Sequence, residues 1–150
     1  MINRYCINCA LLLLACVYGQ VRANPRINVA TTIAPYQEFI SEVGKEHVSV
    51  SVLIPPGANP HAFDPKPSTI KQLKDVMLYI AVGSGIDFEQ VWLPKILSSH
   101  PSITVIDSSQ NIPELNIQQS EHDEHEHHDH KDPHVWLSPK NAIHIVRSIQ

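Results

Sequence analysis

Four short segments rich in β-branched or apolar residues alternate along this chain with segments of helical periodicity. The strand-like segments are INVATTI (27–33), HVSVSVLIP (47–55), MLYIAVG (77–83) and ITVIDSS (103–109). This strand–helix alternation is typical of right-handed βαβ units, in which a helix joins two parallel strands. The sequence therefore predicts an α/β fold with a parallel four-stranded sheet and flanking helices.

The helical segments lie between the strands and at the end of the chain, at 35–46, 67–76, 87–99 and 138–150. Gly44 is suited to end the first helix, because glycine is common at helix C-termini. Ser68 or Thr69 is the expected N-cap of the second helix, since hydroxyl side chains satisfy free N–H groups there. Pro94 is expected to kink or break the third helix, because proline lacks a backbone N–H.

The N-terminal segment has the features of an export signal. Cys9 to Tyr18 form an apolar run, which is too short to cross a bilayer that needs ~20 residues. Val21-Arg22-Ala23 offers small residues at the positions that a signal peptidase reads, so residues 1–23 are predicted to be a cleaved signal peptide that sends the protein to the periplasm. Leu13-Leu14-Ala15-Cys16 partly matches a lipobox, and lipoprotein anchoring through Cys16 is the alternative that we do not favour.

Removal of that segment leaves an acidic chain without cysteine. Cys6, Cys9 and Cys16 all lie in it, so no disulfide is available and a hydrophobic core must hold the fold. Without Arg4 and Arg22, nine of the eleven basic residues remain beside fifteen acidic residues, for a formal charge of −6. This charge argues against a nucleic-acid partner and is compatible with binding cations.

One low-complexity segment combines histidine with acidic residues. Five histidines alternate with Glu and Asp in residues 120–132: His122, His125, His127, His128 and His130. Closely spaced histidines can bind a metal from an extended chain, and the carboxylates raise the local cation concentration. We predict a flexible accessory metal loop that is disordered without metal and suits capture or sensing rather than tight storage.

Two other histidines stand in proline-rich loops. His61 lies in NPHAFDP directly after a predicted strand, and His134 lies in DPHVWLSP before the last helix. Proline restricts the backbone, and Phe63 and Trp136 are bulky neighbours that can exclude water. A neutral imidazole is a common zinc ligand, so the sequence predicts a metal site that contains His61 and His134.

Other motifs are weaker. VGSGIDF lacks the third glycine of a dinucleotide-binding fingerprint, because Phe88 stands at that place. His61 and Asp64 could belong to a metal-dependent hydrolase, which is one alternative function. A soluble zinc buffer that acts through the histidine-rich loop alone is another alternative.

Three motifs in this order resemble one family. GANPHAFDPKPSTIKQLKDV, then VGSGIDFEQVWLPKI, and finally DPHVWLSPKNA after the histidine-rich loop are similar to metal-binding solute-binding proteins of ABC importers. The resemblance is greatest to the zinc-specific branch and covers nearly all of the chain after the signal peptide. It implies zinc as the bound ion, a membrane ABC permease as the partner, no catalytic activity and no membrane-spanning segment in the exported chain.

The resemblance also implies a domain plan and roles for residues. His61 and His134 would be the first two zinc ligands, and the histidine-rich loop would be the accessory segment of zinc-specific members. Residues 24–137 would form the N-terminal α/β lobe, and residues 138–150 would begin the long helix that leads to a second lobe. In the family that second lobe supplies the remaining ligands, so this chain alone is expected to carry an incomplete site. His144 matches no family ligand and is expected at the surface.

Overall fold

The computed structural model describes residues 25–113 and 132–150 of the chain. The strands are β1 (Ile27–Thr31), β2 (Val48–Val52), β3 (Leu78–Ala81) and β4 (Thr104–Asp107). The α-helices are α1 (Ala34–Gly44), α2 (Pro67–Lys71), α3 (Asp87–Ser99) and α4 (Pro139–Ile149). Short 3-10 turns at Lys45–His47 and Val135–Leu137 precede β2 and α4.

The four strands form one parallel sheet in the order β2-β1-β3-β4. Val29 of β1 pairs with Val50 of β2 on one side and with Leu78 of β3 on the other. Tyr79 of β3 pairs with Val105 of β4. The predicted α/β fold with a parallel four-stranded sheet is confirmed.

The two central strands are the most buried part of the sheet. Ala30 of β1 and Tyr79 and Ile80 of β3 have no exposed surface. A strand with neighbours on both edges and helices on both faces has no solvated side, which accounts for the continuous apolar run of β3. The outer strand β2 is only half-buried, and its Val–Ser alternation fits a strand with one apolar face.

Helices cover the sheet through a few large apolar side chains. Tyr36 and Ile40 of α1, Phe88 and Ile96 of α3, and Ile145 of α4 are all buried in the core. Helix α4 packs against α1. Right-handed crossovers place α1 on one face of the sheet and α2 and α3 on the other, because the chain moves in opposite directions from β1 to β2 and from β2 to β3.

Two details of the predicted helices are wrong. Helix α3 runs without a break through Pro94, because Phe88 before it and Ile96 after it are both anchored in the core. Helix α2 starts at Pro67, with Lys66 at the N-cap position and no side-chain cap, so neither Ser68 nor Thr69 caps it. Proline suits the first helical position, where a backbone N–H would have no partner.

The strand order defines where a ligand can bind. The chain leaves β1 towards one side of the sheet and later returns to β3 on its other side, so the direction of winding reverses between these strands. In such sheets, ligands bind beyond the carboxyl ends of the strands near this reversal. Within residues 25–113 and 132–150, no helix has the length and apolar character that a bilayer crossing requires.

Candidate metal centre

Three segments meet beyond the carboxyl edge of the sheet. The loop after β2 carries His61, the turn after β3 leads into α3 at Asp87, and the segment that precedes α4 carries His134. The two imidazole rings lie with their centres 5.9 Å apart and their planes tilted by 59°. The structure therefore brings the two predicted site histidines together, although they are 73 positions apart in the chain.

The spacing of these rings suits one shared metal ion. Two imidazoles that bind one tetrahedral Zn²⁺ at ~2.0–2.1 Å place their ring centres about 5 Å apart, so a small movement of either side chain would close the site. The side chains of His61 and His134 are 43% and 42% exposed, which leaves both rings accessible to an incoming ion.

His134 donates two hydrogen bonds to a single carboxylate. The backbone N–H of His134 donates to Oδ1 of Asp132 at 2.9 Å, and the ring Nδ1–H donates to the same oxygen at 2.7 Å. The first bond is that of an Asx turn, in which an Asp or Asn side chain accepts from the backbone two residues on. These bonds, the backbone one foremost, hold the pKa of Asp132 below its usual value.

His61 makes the corresponding two hydrogen bonds to two different residues. Its backbone N–H donates to Oδ1 of Asn59 at 3.0 Å, in a second Asx turn. Its ring Nδ1–H donates to Oδ2 of Asp87, which lies 26 positions further along the chain, at 2.6 Å. Asp87 is the first residue of α3, so the helix start fixes the carboxylate that orients this ring.

Both rings are thereby left with the same free nitrogen. An ionised carboxylate only accepts hydrogen bonds, so the Nδ1 atoms of His61 and His134 carry hydrogens, and in the neutral form of each ring the lone pair is on Nε2. Histidines that bind metals commonly donate their other ring N–H to a carboxylate, which fixes the ring and makes the binding nitrogen more basic. The two rings therefore share the hydrogen-bonding arrangement that is common in histidines that bind metals.

Aromatic side chains anchor the two segments that carry the histidines. The ring centre of Trp136 lies 5.3 Å from that of His134 and 6.4 Å from that of the buried Tyr36. Phe63, two residues after His61, lies 6.0 Å from the buried Phe88 of α3. Burial raises the pKa of Tyr36, so this residue remains a neutral packing partner.

The turn between β3 and α3 is fixed by a buried carboxylate. Glu89 accepts hydrogen bonds from the backbone N–H groups of Val82 (2.8 Å) and Gly83 (2.9 Å), and from the hydroxyl of Thr32. Burial raises the pKa of Glu89, although these donors act in the opposite direction. Gly83 has a φ of 68°, and a Cβ there would lie 2.1 Å from an oxygen of Asp107, so only glycine fits.

The other predicted site residues have different outcomes. The accessory loop histidines His122, His125, His127, His128 and His130 lie outside the described residues. The ring of His61 bonds to Asp87 and not to Asp64, which is exposed, so the hydrolase-like pair is not formed. His144 is half-buried on α4 rather than fully at the surface. Across 25–113 and 132–150, no group of three or more His, Cys, Asp and Glu side chains is placed to hold a metal ion.

Sequence reasoning missed the residues that orient the rings. Asn59 and Asp132 each stand two positions before a histidine, with proline between, and this repeated Asx-Pro-His pattern was visible in the sequence. Asp87 had no such signal, because its partner comes from a distant loop and only the folded sheet brings them together.

Known proteins with similar sequences include zinc-uptake and zinc-binding proteins. A family profile described as zinc-uptake complex component A, periplasmic, matches residues 29–150. The zinc-binding lipoprotein AdcA of Streptococcus pneumoniae is 31% identical over 149 residues, which cover 95% of this chain and 29% of AdcA. The high-affinity zinc uptake system protein ZnuA of Bacillus subtilis is 31% identical, and the match covers 94% of this chain and 47% of that protein. The chain thus spans less than half the length of these relatives.

Solved structures show the same fold. A crystal structure of ZnuA superposes with a TM-score of 0.72 at 32% identity, over 83% of this chain and 44% of that one. The Zn(II)-bound AdcA of Streptococcus pneumoniae superposes with a TM-score of 0.63 at 28% identity, over 83% of this chain and 25% of that one. Since the family profile covers most of the chain and the fold agrees, the chain belongs to the family of the periplasmic zinc-uptake complex component A.

Proposed function

We propose that this chain captures zinc outside the cytoplasm and delivers it to a membrane ABC permease. The observation that carries the proposal is the pair formed by His61 and His134, with ring centres 5.9 Å apart and each Nδ1–H bonded to a carboxylate. The pair is preoriented before any ion arrives, so little side-chain freedom is lost on binding. Such a site binds and releases its cargo without turnover.

Zinc is the proposed cargo because the relatives named above are zinc-binding or zinc-uptake proteins. The alternative ion is manganese, since the manganese-binding lipoprotein MntA of Halalkalibacterium halodurans is 25% identical over 83% of this chain. Two neutral imidazoles favour zinc, because manganese prefers carboxylate, carbonyl and water oxygens. The histidine-rich segment adds further nitrogen donors.

The two histidines supply half of a tetrahedral zinc site. We propose that the other donors come from a second lobe of the kind that the family resemblance implies, with residues 24–137 as the first lobe and residues 138–150 in the connecting helix.

In this structure, Ile143 of α4 is 54% exposed and lies beside Val146 in a shallow apolar depression. An apolar helix face of this kind favours association with another surface. We expect the chain to self-associate through this face, and a monomer in ultracentrifugation that binds no hydrophobic dye would argue against a second lobe that covers it.

The proposed role of residues 120–132 is to collect zinc near the paired histidines. An acidic, histidine-rich segment raises the local zinc concentration and binds weakly, because ordering it costs entropy. Weak binding suits transfer to a stronger site nearby.

We also propose that the chain is exported, and that it is then either released or anchored to a membrane. Cleavage after Ala23 would release a periplasmic protein, whereas lipid attachment at Cys16 would leave it tethered to a membrane. The relatives AdcA and MntA are named as lipoproteins, which supports the Cys16 alternative. Labelling with palmitate separates the two: a label that Cys16→Ala abolishes would establish the lipoprotein form.

Zinc titration of the exported chain tests the main proposal. His61→Ala and His134→Ala should each weaken zinc binding by more than the ~10–100-fold that loss of an outer-shell partner costs. His47→Ala is the matched control, because that exposed histidine lies before β2 at the opposite edge of the sheet. A chain without residues 121–130 should keep the site at 61 and 134 and lose only the weaker, additional binding.

The alternative functions give different results in the same set of proteins. A zinc buffer that uses the histidine-rich segment alone would bind normally after loss of both His61 and His134. A metal-dependent hydrolase would turn over a substrate in a manner that His61→Ala abolishes. If neither histidine variant changes zinc affinity, the proposed site is wrong.

A further inference from the structure

The turn after β3 has an unusual backbone. Gly83, Ser84 and Gly85 all have positive φ values, of 68°, 52° and 84°. Glycine adopts this left-handed region freely, whereas serine populates it only sparsely because its Cβ crowds the backbone there. Strained backbone of this kind persists only where surrounding contacts hold it in place.

The Ser84 side chain bonds to the segment that carries the second histidine. Its hydroxyl donates to the backbone carbonyl of Pro133 at 2.7 Å, across 49 positions of sequence, and Pro133 directly precedes His134. The backbone N–H of Ser84 donates to the hydroxyl of Ser109 at 3.1 Å. Among the described residues, the Ser84 hydroxyl makes the only hydrogen bond between 132–134 and the strands or the β3–α3 turn.

The same turn also contacts the first histidine. Asp87 follows it directly and accepts the hydrogen bond from the ring of His61 at 2.6 Å. Glu89 holds the base of the turn through the N–H groups of Val82 and Gly83. Ser84 in this turn and Asp87 directly after it therefore each make a hydrogen bond to one of the two segments that bear a proposed ligand.

We infer that Ser84 is a positioning residue for the metal site, which sets the separation of the two imidazoles by fixing the His134 segment to the turn that orients His61. This inference rests on the proposed function. Ser84 itself is not a ligand in this account. Its hydroxyl acts on the carbonyl before His134, and the positive φ value is the conformation that aims the hydroxyl there.

Two substitutions separate positioning from fold stability. Ser84→Gly and Ser84→Ala both remove the hydroxyl, but glycine suits the positive φ value whereas alanine keeps the steric cost. We expect both variants to lose zinc affinity to a similar degree, by about tenfold or more, as outer-shell partners do. Their melting temperatures should differ, with Ser84→Gly above Ser84→Ala. A purely structural role would instead make affinity follow stability.

Two local measurements complete the test. In the metal-free exported chain, hydrogen exchange at the His134 amide should be faster in Ser84→Gly than in the parent, because the Asx turn there loses its attachment. In a Trp92→Phe background, Trp136 is the remaining tryptophan, and its emission reports zinc arrival at the adjacent His134 ring. Ser98→Ala is the matched control, since its hydroxyl also donates to a backbone carbonyl, that of Lys95, at 2.8 Å on helix α3.

The outcomes separate this inference from the proposed function. If Ser84→Gly binds zinc as tightly as the parent and protects the His134 amide equally, Ser84 has no positioning role. If His61→Ala and His134→Ala do not affect zinc binding, the proposed function fails, and the metal-free exchange experiment still decides whether Ser84 holds the segment. Loss of affinity in both Ser84 variants, with unequal stability and faster exchange, supports the inference.

Discussion

The two histidine loops have the same local design but different ring partners. Each contains an Asx residue, a proline and then the histidine, and in each the Asx side chain accepts the histidine backbone N–H, at 3.0 Å for Asn59 and 2.9 Å for Asp132. Asp132 also holds the ring of its own histidine, whereas Asn59 leaves that task to Asp87. An amide carries no charge, so the His61 loop takes its carboxylate from the start of α3.

The difference shows two ways of orienting a ligand. At His134 the orientation is local, and a peptide of three residues contains every group that it needs. At His61 the orientation depends on the packing of one loop against a helix of another βαβ unit. We therefore expect the two histidines to respond differently to substitutions near them in sequence.

Among substitutions of the residues that bond to the two histidines, the largest effect is expected from Asp132→Ala. This substitution removes the acceptor of both the backbone N–H and the ring N–H of His134. The ring then loses its fixed orientation, and its other nitrogen becomes less basic. Zinc affinity should fall by ~10–100-fold, measured by competition with a chromophoric chelator. Asp75→Ala, an exposed aspartate before β3, is the control. Equal affinities of Asp132→Ala and the parent chain would refute the local role of Asp132.

A somewhat smaller effect is expected from Asp87→Ala, which removes only the ring partner of His61. Zinc affinity should fall by about tenfold, at the lower end of the effects of outer-shell changes. Adding Asn59→Asp to this variant should restore part of the loss, because it gives His61 the local carboxylate that His134 already has. Absence of any rescue in the double variant would show that the two loops are not equivalent in geometry.

The contribution of Glu89 to the stability of the turn between β3 and α3 can be tested by varying pH. Burial raises the pKa of Glu89 above its ordinary value of 4.5, so the folded state favours its protonated form. This contribution to stability is complete below the unfolded pKa and is lost as pH rises through the folded pKa. The free energy of unfolding of the parent chain, relative to Glu89→Gln, should therefore decrease as pH rises from about 4 towards neutrality. Urea unfolding at a series of pH values measures this, and parallel pH profiles would contradict it.

The smallest effect is expected from Asn59→Ala. It removes one exposed backbone hydrogen bond and leaves the ring contact between His61 and Asp87 intact. A typical hydrogen bond contributes ~0.5–1.5 kcal/mol, so affinity should fall only a few-fold. A loss as large as that of Asp132→Ala would mean that the Asx turn, rather than the ring carboxylate, dominates at both histidines.

The sequence predicted the sheet and its helices well because each element carries its own periodicity. The continuous apolar run of β3 and the alternation of β2 follow from burial on two faces and on one. The break at Pro94 was wrong because a local rule was outweighed by the packing of Phe88 and Ile96 on either side. In the same way, the pairing of His61 and His134 was predicted from their proline-rich context, whereas the contacts of Asp87 and Ser84 were not.

The sequence by itself determined the order of strands and helices and the two Asx-Pro-His turns, because these depend on residues within a few positions of one another. The tertiary structure alone decided that the ring centres of His61 and His134 lie 5.9 Å apart, that Asp87 bonds to His61 across 26 positions and that Ser84 bonds to Pro133 across 49. Those contacts follow from the strand order β2-β1-β3-β4, which brings the loops after β2 and β3 and the segment before α4 to one edge of the sheet. No local pattern of residues encodes which distant loops will share that edge.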